Sequence, residues 1–291
     1  MDSWWLILVL ISATIHPLRD LTLKGVAHPV SAYAGVCLSW VLLSAAHTAV
    51  TKQGFVLPAS VWPFVVISAV GLAAYYFGTQ AALQRGNLSI YYPIVRSSPI
   101  VIVAFSFLVL GQSYSWPVMA GILLVLTGGM MIQKSPGGLL HDPRAFGLAV
   151  FAMLGSAAYS LSDAEAMRQV GAAPFLFWVY VLVSPMLMAT LVWDARKMPF
   201  LFSSVVRGWV EAPGRILFAG VASYISYLLI LRAFSIGADP ASVSAARQAS
   251  IPVSIVLAAL VLREPRFLRR IGWSGLIASG IAIIALNQSV G

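Results

Sequence analysis

The sequence predicts an all-α polytopic membrane protein, with ten transmembrane helices in two inverted five-helix repeats. Three observations predict it. Of the 291 residues, 60% are hydrophobic and only 9% are charged, against roughly 25% charged in an ordinary soluble domain. The apolar residues gather in runs of the length that one bilayer crossing needs, about 20 residues. The chain also repeats itself, with Arg96 and Arg247 standing at equivalent places in its two halves.

The runs can be justified in order. Trp4–Leu23 has no Lys or Arg before it, so it is expected to be a spanning helix rather than a cleaved signal peptide. Pro29–Thr51 holds the single cysteine, Cys37, and one cysteine builds neither a disulfide framework nor a multi-cysteine metal site. Pro58–Gln84 and Leu88–Gly111 follow. Pro93 and Pro99 inside the fourth run free backbone carbonyls and predict a bend. Trp116–Gln133 completes the first half, and Ala145–Arg168, Ala173–Trp193 and Glu211–Ser235 open the second. The ninth run, Pro240–Leu262, has a sharp start: Asp239 is a plausible N-cap and Pro240 suits a first helical position. Pro252 predicts a bend within it, and Leu268–Gln288 is the tenth run. The longest connection, from about Asp194 to Val210, leaves no room for a soluble domain, so the two halves are residues 1–134 and 144–291.

The repeat rests on an ungapped shift that carries Arg96 onto Arg247. The same shift lays Tyr76 on Tyr227, Gly86 on Gly237, Gly121 on Gly272 and Gly129 on Gly280. Apolar sequences match easily by chance, but a coincident mid-membrane arginine does not. A slightly shorter shift lays Asp20 on Glu165 and Pro29 on Pro174. Five crossings reverse the chain's direction, so the two halves are expected upside down relative to one another. Secondary transporters are built this way, with substrate bound near the midplane.

The basic residues sort by side. Connections 1–2, 3–4, 5–6, 7–8 and 9–10 hold 13 of the 18 Lys and Arg, and the opposite side holds Lys52, Arg168 and Arg232. The positive-inside rule then predicts both termini outside. The net charge of +9 is thus a matter of loop bias, and scattered loop cations make no phosphate-binding stripe, so no nucleic-acid partner is expected.

Two basic residues remain, Arg96 and Arg247, each well inside a run. An intramembrane charge is costly and normally faces a cavity or a partner. The guanidinium fork suits a carboxylate or phosphate, so both are candidate substrate-binding residues. The plainer reading pairs them with Asp20, Asp163 or Glu165 to hold helices together. On the sixth run Ser156, Tyr159, Ser160 and Asp163 recur at helical spacing and share a face, as do Ser12, His16, Arg19 and Asp20 on the first. Ser160 and Asp163 are therefore further binding candidates, although intramembrane serines are more often packing contacts. His16, Asp163 and Glu165 are candidates for proton coupling. Tyr92, one turn before Arg96, and the repeat-related Tyr76 and Tyr227 would supply aromatic walls with hydroxyl tips. Trp4, Trp62, Trp116, Trp193 and Trp273 lie near run ends and fit an interfacial belt. The four histidines lack metal-ligand spacing, and no phosphate loop or nucleophile elbow is present. Neither catalytic residues, nor a metal, nor a cofactor is expected.

The stretch Leu260-Val-Leu-Arg-Glu264-Pro-Arg-Phe-Leu-Arg-Arg-Ile-Gly272, running on to Gly280, resembles the end of an EamA domain of the drug/metabolite transporter superfamily. There a helix ends in a Glu, a short polar loop follows, and the last helix carries spaced glycines. Leu110-Gly-Gln-Ser-Tyr-Ser-Trp-Pro-Val-Met-Ala-Gly121 with Gly129 is similar in the first half, with Gln112-Ser113 where the pattern has a loop acid. The resemblance implies a basket of helices in a bacterial inner membrane, with helices one, three, four, six, eight and nine around a cavity and helices five and ten behind. It also implies movement of amino acids, other metabolites or drugs.

The leading expectation is a secondary transporter of small polar, anionic or zwitterionic metabolites, embedded among membrane lipids and working as a monomer. A flippase for a phosphate-bearing lipid would use the same two arginines. A non-transporting scaffold or receptor would instead have both arginines paired with carboxylates.

Overall fold

The computed structural model describes residues 4–23, 26–27, 29–85, 88–132, 142–195, 207–253, 255–256 and 267–287. Among these residues the protein is all-helical. The helices are α1 (Trp4–Leu23), α2 (Pro29–Val50), α3 (Trp62–Arg85), α4 (Leu88–Val95), α5 (Ser98–Leu108) and α6 (Trp116–Ile132). The second half supplies α7 (Pro143–Ala166), α8 (Ala172–Ala195), α9 (Pro213–Ser235), α10 (Pro240–Ala246) and α11 (Phe267–Asn287). The helical stretches Ser31–Val50, Ala59–Ala82, Pro143–Ala166, Ala172–Thr190 and Pro213–Ser235 are long and apolar enough to cross a bilayer. Shorter apolar helices stand beside them.

The helix ends follow local chemistry. α7 begins two residues before the expected Ala145, because the Asp142 carboxylate accepts from the backbone N–H groups of Arg144 (2.9 Å) and Ala145 (3.2 Å) and Pro143 sits at the first turn. Asp239 caps α10 as expected, accepting from Ser242 N–H at 2.8 Å. α9 stops at Gly237, whose φ of +90° is open to glycine and lets the chain turn back toward that cap.

The fourth and ninth runs are broken as well as bent. α4 ends at Val95 and α5 starts at Ser98, with Pro99 in its first turn, so Arg96 lies in the break. In the ninth run α10 gives way at Arg247 to a 3-10 turn, Arg247–Ala249. The prolines account for the first break, since each removes a backbone donor from the helix ladder. The end of the ninth run, residues 257–262, the start of the tenth connection with Glu264, and most of the connection after α8 lie outside the described residues.

The main packing pairs are α3 with α7, α1 with α9, α2 with α8, α5 with α10, and α6 with α11, and α4 also packs on α7. Glycines allow two of these contacts to close to backbone distance. A methyl group on Gly155 of α7 would stand 2.6 Å from the Gly71 carbonyl oxygen of α3, and one on Gly280 of α11 would stand 2.5 Å from that of Gly121 on α6. Small residues of this kind give membrane helices their close approach.

Candidate functional site

A polar cavity lies among α1, α2, α3, α7, α8, α9 and the Arg247 turn, and leaves ≈ 40 Å³ open to the centre of a water molecule. α1 contributes His16 and Arg19 one turn apart, as the helical spacing of its polar stripe requires. α9 contributes Ser223, Ser226 and Tyr227 by the same periodicity.

Six aromatic rings close a loop around this space. Trp40 packs on Tyr76 (centroids 6.2 Å), Tyr76 meets Tyr75 (5.4 Å) and Tyr75 meets Tyr159 (6.0 Å). Tyr159 then meets Tyr227 (6.2 Å), Tyr227 meets Tyr180 (6.0 Å), and Tyr180 returns to Trp40 (5.1 Å). All six spacings fall in the range in which aromatic pairs attract, about 4.5–7 Å. The loop combines flat apolar faces with phenolic hydroxyls, so it can sort a ligand by shape and by hydrogen bonding.

Arginines are tethered to this loop. Arg247 Nη1 donates to the Tyr159 hydroxyl at 2.8 Å, with its guanidinium carbon 5.8 Å from the Tyr159 ring centroid. Arg19 Nη1 donates to the Tyr76 hydroxyl at 3.3 Å. Tyr159 fixes the direction of the Arg247 guanidinium without neutralising it, which leaves the remaining N–H groups of Arg247 aimed by a neutral partner.

Arg96 does not line this cavity. It joins Arg247 instead in a smaller adjoining space with Ser98, Ser156, Ser244 and Gln248. Gln248 Nε2 donates to the Arg96 carbonyl at 2.8 Å, and so satisfies an oxygen in the break of the fourth run. Ser156 Oγ reaches Ser98 Oγ at 3.3 Å, and Ser98 Oγ reaches Ser244 Oγ at 3.0 Å, which links α7, α5 and α10 through hydroxyls. The two repeat-related arginines are thus neighbours across the break, with Gln248 holding the junction.

Asp163 is fully buried behind the cavity wall. One carboxylate oxygen accepts from Ser68 Oγ at 2.6 Å and the other from the Tyr227 hydroxyl at 2.6 Å. Its route to the cavity therefore runs through Tyr227. Ser160 is buried and does not line the cavity. Glu165 lies at the end of α7 with 43% of its side chain exposed, and pairs with Arg168 at 3.1 Å, away from the cavity. The side chains of Asp20 and Tyr92 lie outside those described, although the backbone of Tyr92 belongs to α4. The structure therefore gathers His16, Tyr76, Tyr227 and Arg247 at the cavity, sets Asp163 just behind it and Arg96 beside it, and separates Glu165.

Trp40 and Tyr180 escaped the sequence. They sit on α2 and α8, helices that the family layout places away from the cavity, and an aromatic residue in an apolar helix has the same composition signature as a core residue. Their tyrosine and tryptophan polar atoms were the available signal, since a buried hydroxyl or indole N–H asks for a polar neighbour.

Residues 2–133 match the family model described as EamA-like transporter family. The pseudopaline exporter CntI of Pseudomonas aeruginosa, from two strains, is 26% identical to this chain over 210 residues, or 69% of the chain. The match spans 65% of the exporter's own length. A solved crystal structure superposes with a TM-score of 0.74 at 17% identity, covering 97% of this chain and 96% of its own, which establishes the shared fold. The match and the apolar helices together make the chain an integral, multi-pass membrane protein.

Proposed function

We propose that the protein is a secondary transporter of ten spans that carries small anionic or zwitterionic metabolites by alternating access through the arginine-bearing aromatic cavity, in a bacterial inner membrane. The observation that carries this reading is the tethering of Arg247 to Tyr159 at 2.8 Å beside the cavity. A fixed guanidinium that meets a neutral hydroxyl offers its remaining donors to an arriving carboxylate.

Two inverted repeats, residues 1–134 and 144–291, are supported by the helix pairings. Exchanging the halves turns the α3–α7 contact into the α1–α9 contact and maps the α2–α8, α5–α10 and α6–α11 contacts onto themselves. The breaks at Arg96 and Arg247 fit the same symmetry, and discontinuous helices at the repeat interface are where such transporters bind substrate. Both halves of the site come from one chain, so a monomer suffices. The exporter relative supports outward movement of the metabolite. His16 and Asp163 are the groups we assign to proton coupling, with Tyr227 between Asp163 and the cavity. The chain works as a carrier and not as an enzyme.

The test is a thermal-shift screen of purified protein against amino acids, organic anions and phosphorylated headgroups, repeated with Arg247→Gln. A ligand stabilises the state that it binds. The expected outcome is a shift with a carboxylate-bearing ligand that disappears in Arg247→Gln, together with loss of its transport in proteoliposomes. Transport that survives Arg247→Gln unchanged would overturn the reading.

A further inference from the structure

A second cavity, larger than the first, opens at the end of the bundle where α7 and α9 finish and α6 and α10 begin. It offers ≈ 550 Å³, within the range of small-molecule pockets, about 300–1,000 Å³. The floor carries Ala164 and Met167 of the α7 end, Phe234 of α9 and Ser242 of α10. Ala164, Phe234 and Ser242 each stand four or five positions from a residue of the central cavity on the same stretch of chain: Tyr159 on α7, Ile230 on α9, Arg247 after α10. At 1.5 Å per residue, four or five positions amount to roughly 6–7.5 Å along each helix. The larger cavity therefore lies about one helical turn further along these helices than the central one.

The charges facing the larger cavity are Asp239 and Arg168. Arg168 is already paired with Glu165 at 3.1 Å. Among the described residues Asp239 pairs with no cation: it accepts from the Tyr114 hydroxyl at 2.9 Å and from Ser242 N–H at 2.8 Å. An ionised carboxylate has roughly four acceptor positions, so capping α10 leaves Asp239 able to receive further donors from the cavity side. The Tyr114 and Phe234 rings beside it add faces that attract an organic cation.

We propose that this vestibule is a second, outer binding site, which receives the protonated amine of a small ligand at Asp239. In the order of transport this inference rests on the carrier reading: the amine is received at Asp239, roughly 12 Å along the helix axis from Arg247, where the carboxylate is met, so a zwitterion engages the two in turn. The binding itself does not depend on that reading.

The test uses leucinamide, which carries the amine without a carboxylate, and 4-methylpentanoate, which carries the carboxylate without the amine. A reporter cysteine, Ser113→Cys, is placed at the vestibule rim and labelled with a maleimide in the full-length protein; Cys37 is buried and does not compete. Leucinamide is expected to slow labelling at least threefold and saturably, and 4-methylpentanoate is expected not to. The protection is expected to vanish with Asp239→Asn, in which asparagine still caps α10, and to persist with Arg247→Gln. Unslowed labelling with leucinamide, or equal protection in Asp239→Asn, would overturn the vestibule site. Transport by Arg247→Gln bears on the carrier reading alone, so the two failures are distinguishable.

Discussion

Arg247 is oriented by a phenol, and the hydroxyl is the smallest part that can be removed to test this. Tyr159→Phe keeps the ring in the aromatic loop and deletes the bond to Arg247 Nη1. A hydrogen bond to a charged group contributes about 1.5–3 kcal/mol to stability, so a lowered melting temperature is expected, together with weaker ligand binding because the guanidinium is no longer aimed; calorimetric titration measures the affinity. Asp239 makes a pH prediction. Burial pushes its carboxyl up from the ordinary range, against the lowering effect of its bonds from Ser242 and Tyr114. A carboxyl raised in the folded state favours the protonated form, so its contribution is present below the unfolded pKa of about 3.9 and is lost as pH rises. Asp239→Asn is therefore expected to gain stability relative to the parent as pH rises above the unfolded pKa of about 3.9, read as a converging or crossing pair of melting curves. At this scale the sequence was informative where charge broke an apolar run, as at Arg96, Arg247 and Asp163. It was silent at Trp40 and Tyr180, because an aromatic side chain in a membrane helix fits core, belt and binding site alike.

At the scale of elements, the close helix pairs make the sharpest prediction. Gly155→Ala would press a methyl against the Gly71 carbonyl and, at 2.9 Å, the Tyr75 nitrogen, both backbone atoms that cannot swing aside. Overpacking of this kind costs about 1–3 kcal/mol, and it would push on the two tyrosines of α3 that close the aromatic loop. A lowered melting temperature in Gly155→Ala, with Gly147→Ala unaffected because nothing lies within 4 Å of it, is the expected pair of results. Run lengths, prolines and capping residues located nearly every helix in advance. The bends foreseen from Pro93, Pro99 and Pro252 became breaks centred on the arginines, with Gln248 bridging to the Arg96 carbonyl. Proline reports that a ladder is interrupted, but which residue fills the gap depends on a side chain from a distant helix.

For the whole molecule, the loop bias of 13 basic residues against three predicts the outer face as the one where α6 begins and α7 ends. A reporter that works only in the cytoplasm, fused after Gly291, is expected to be silent, and one inserted in the connection between α8 and α9 is expected to be active. The all-helical, membrane-embedded character was legible because apolar runs of bilayer length leave a plain composition signal. The second cavity was not, because it depends on how helix ends distant in the sequence meet. The aromatic loop also makes the protein its own optical sensor. Of nine tryptophans, Trp40 alone among the described ones stands in the cavity wall, sandwiched between Tyr76 and Tyr180. A ligand that parts those rings changes the surroundings of one indole while the others stay as they were. Occupancy can then be followed as light emission from an unlabelled molecule, and Trp40→Phe is the blank that identifies the signal.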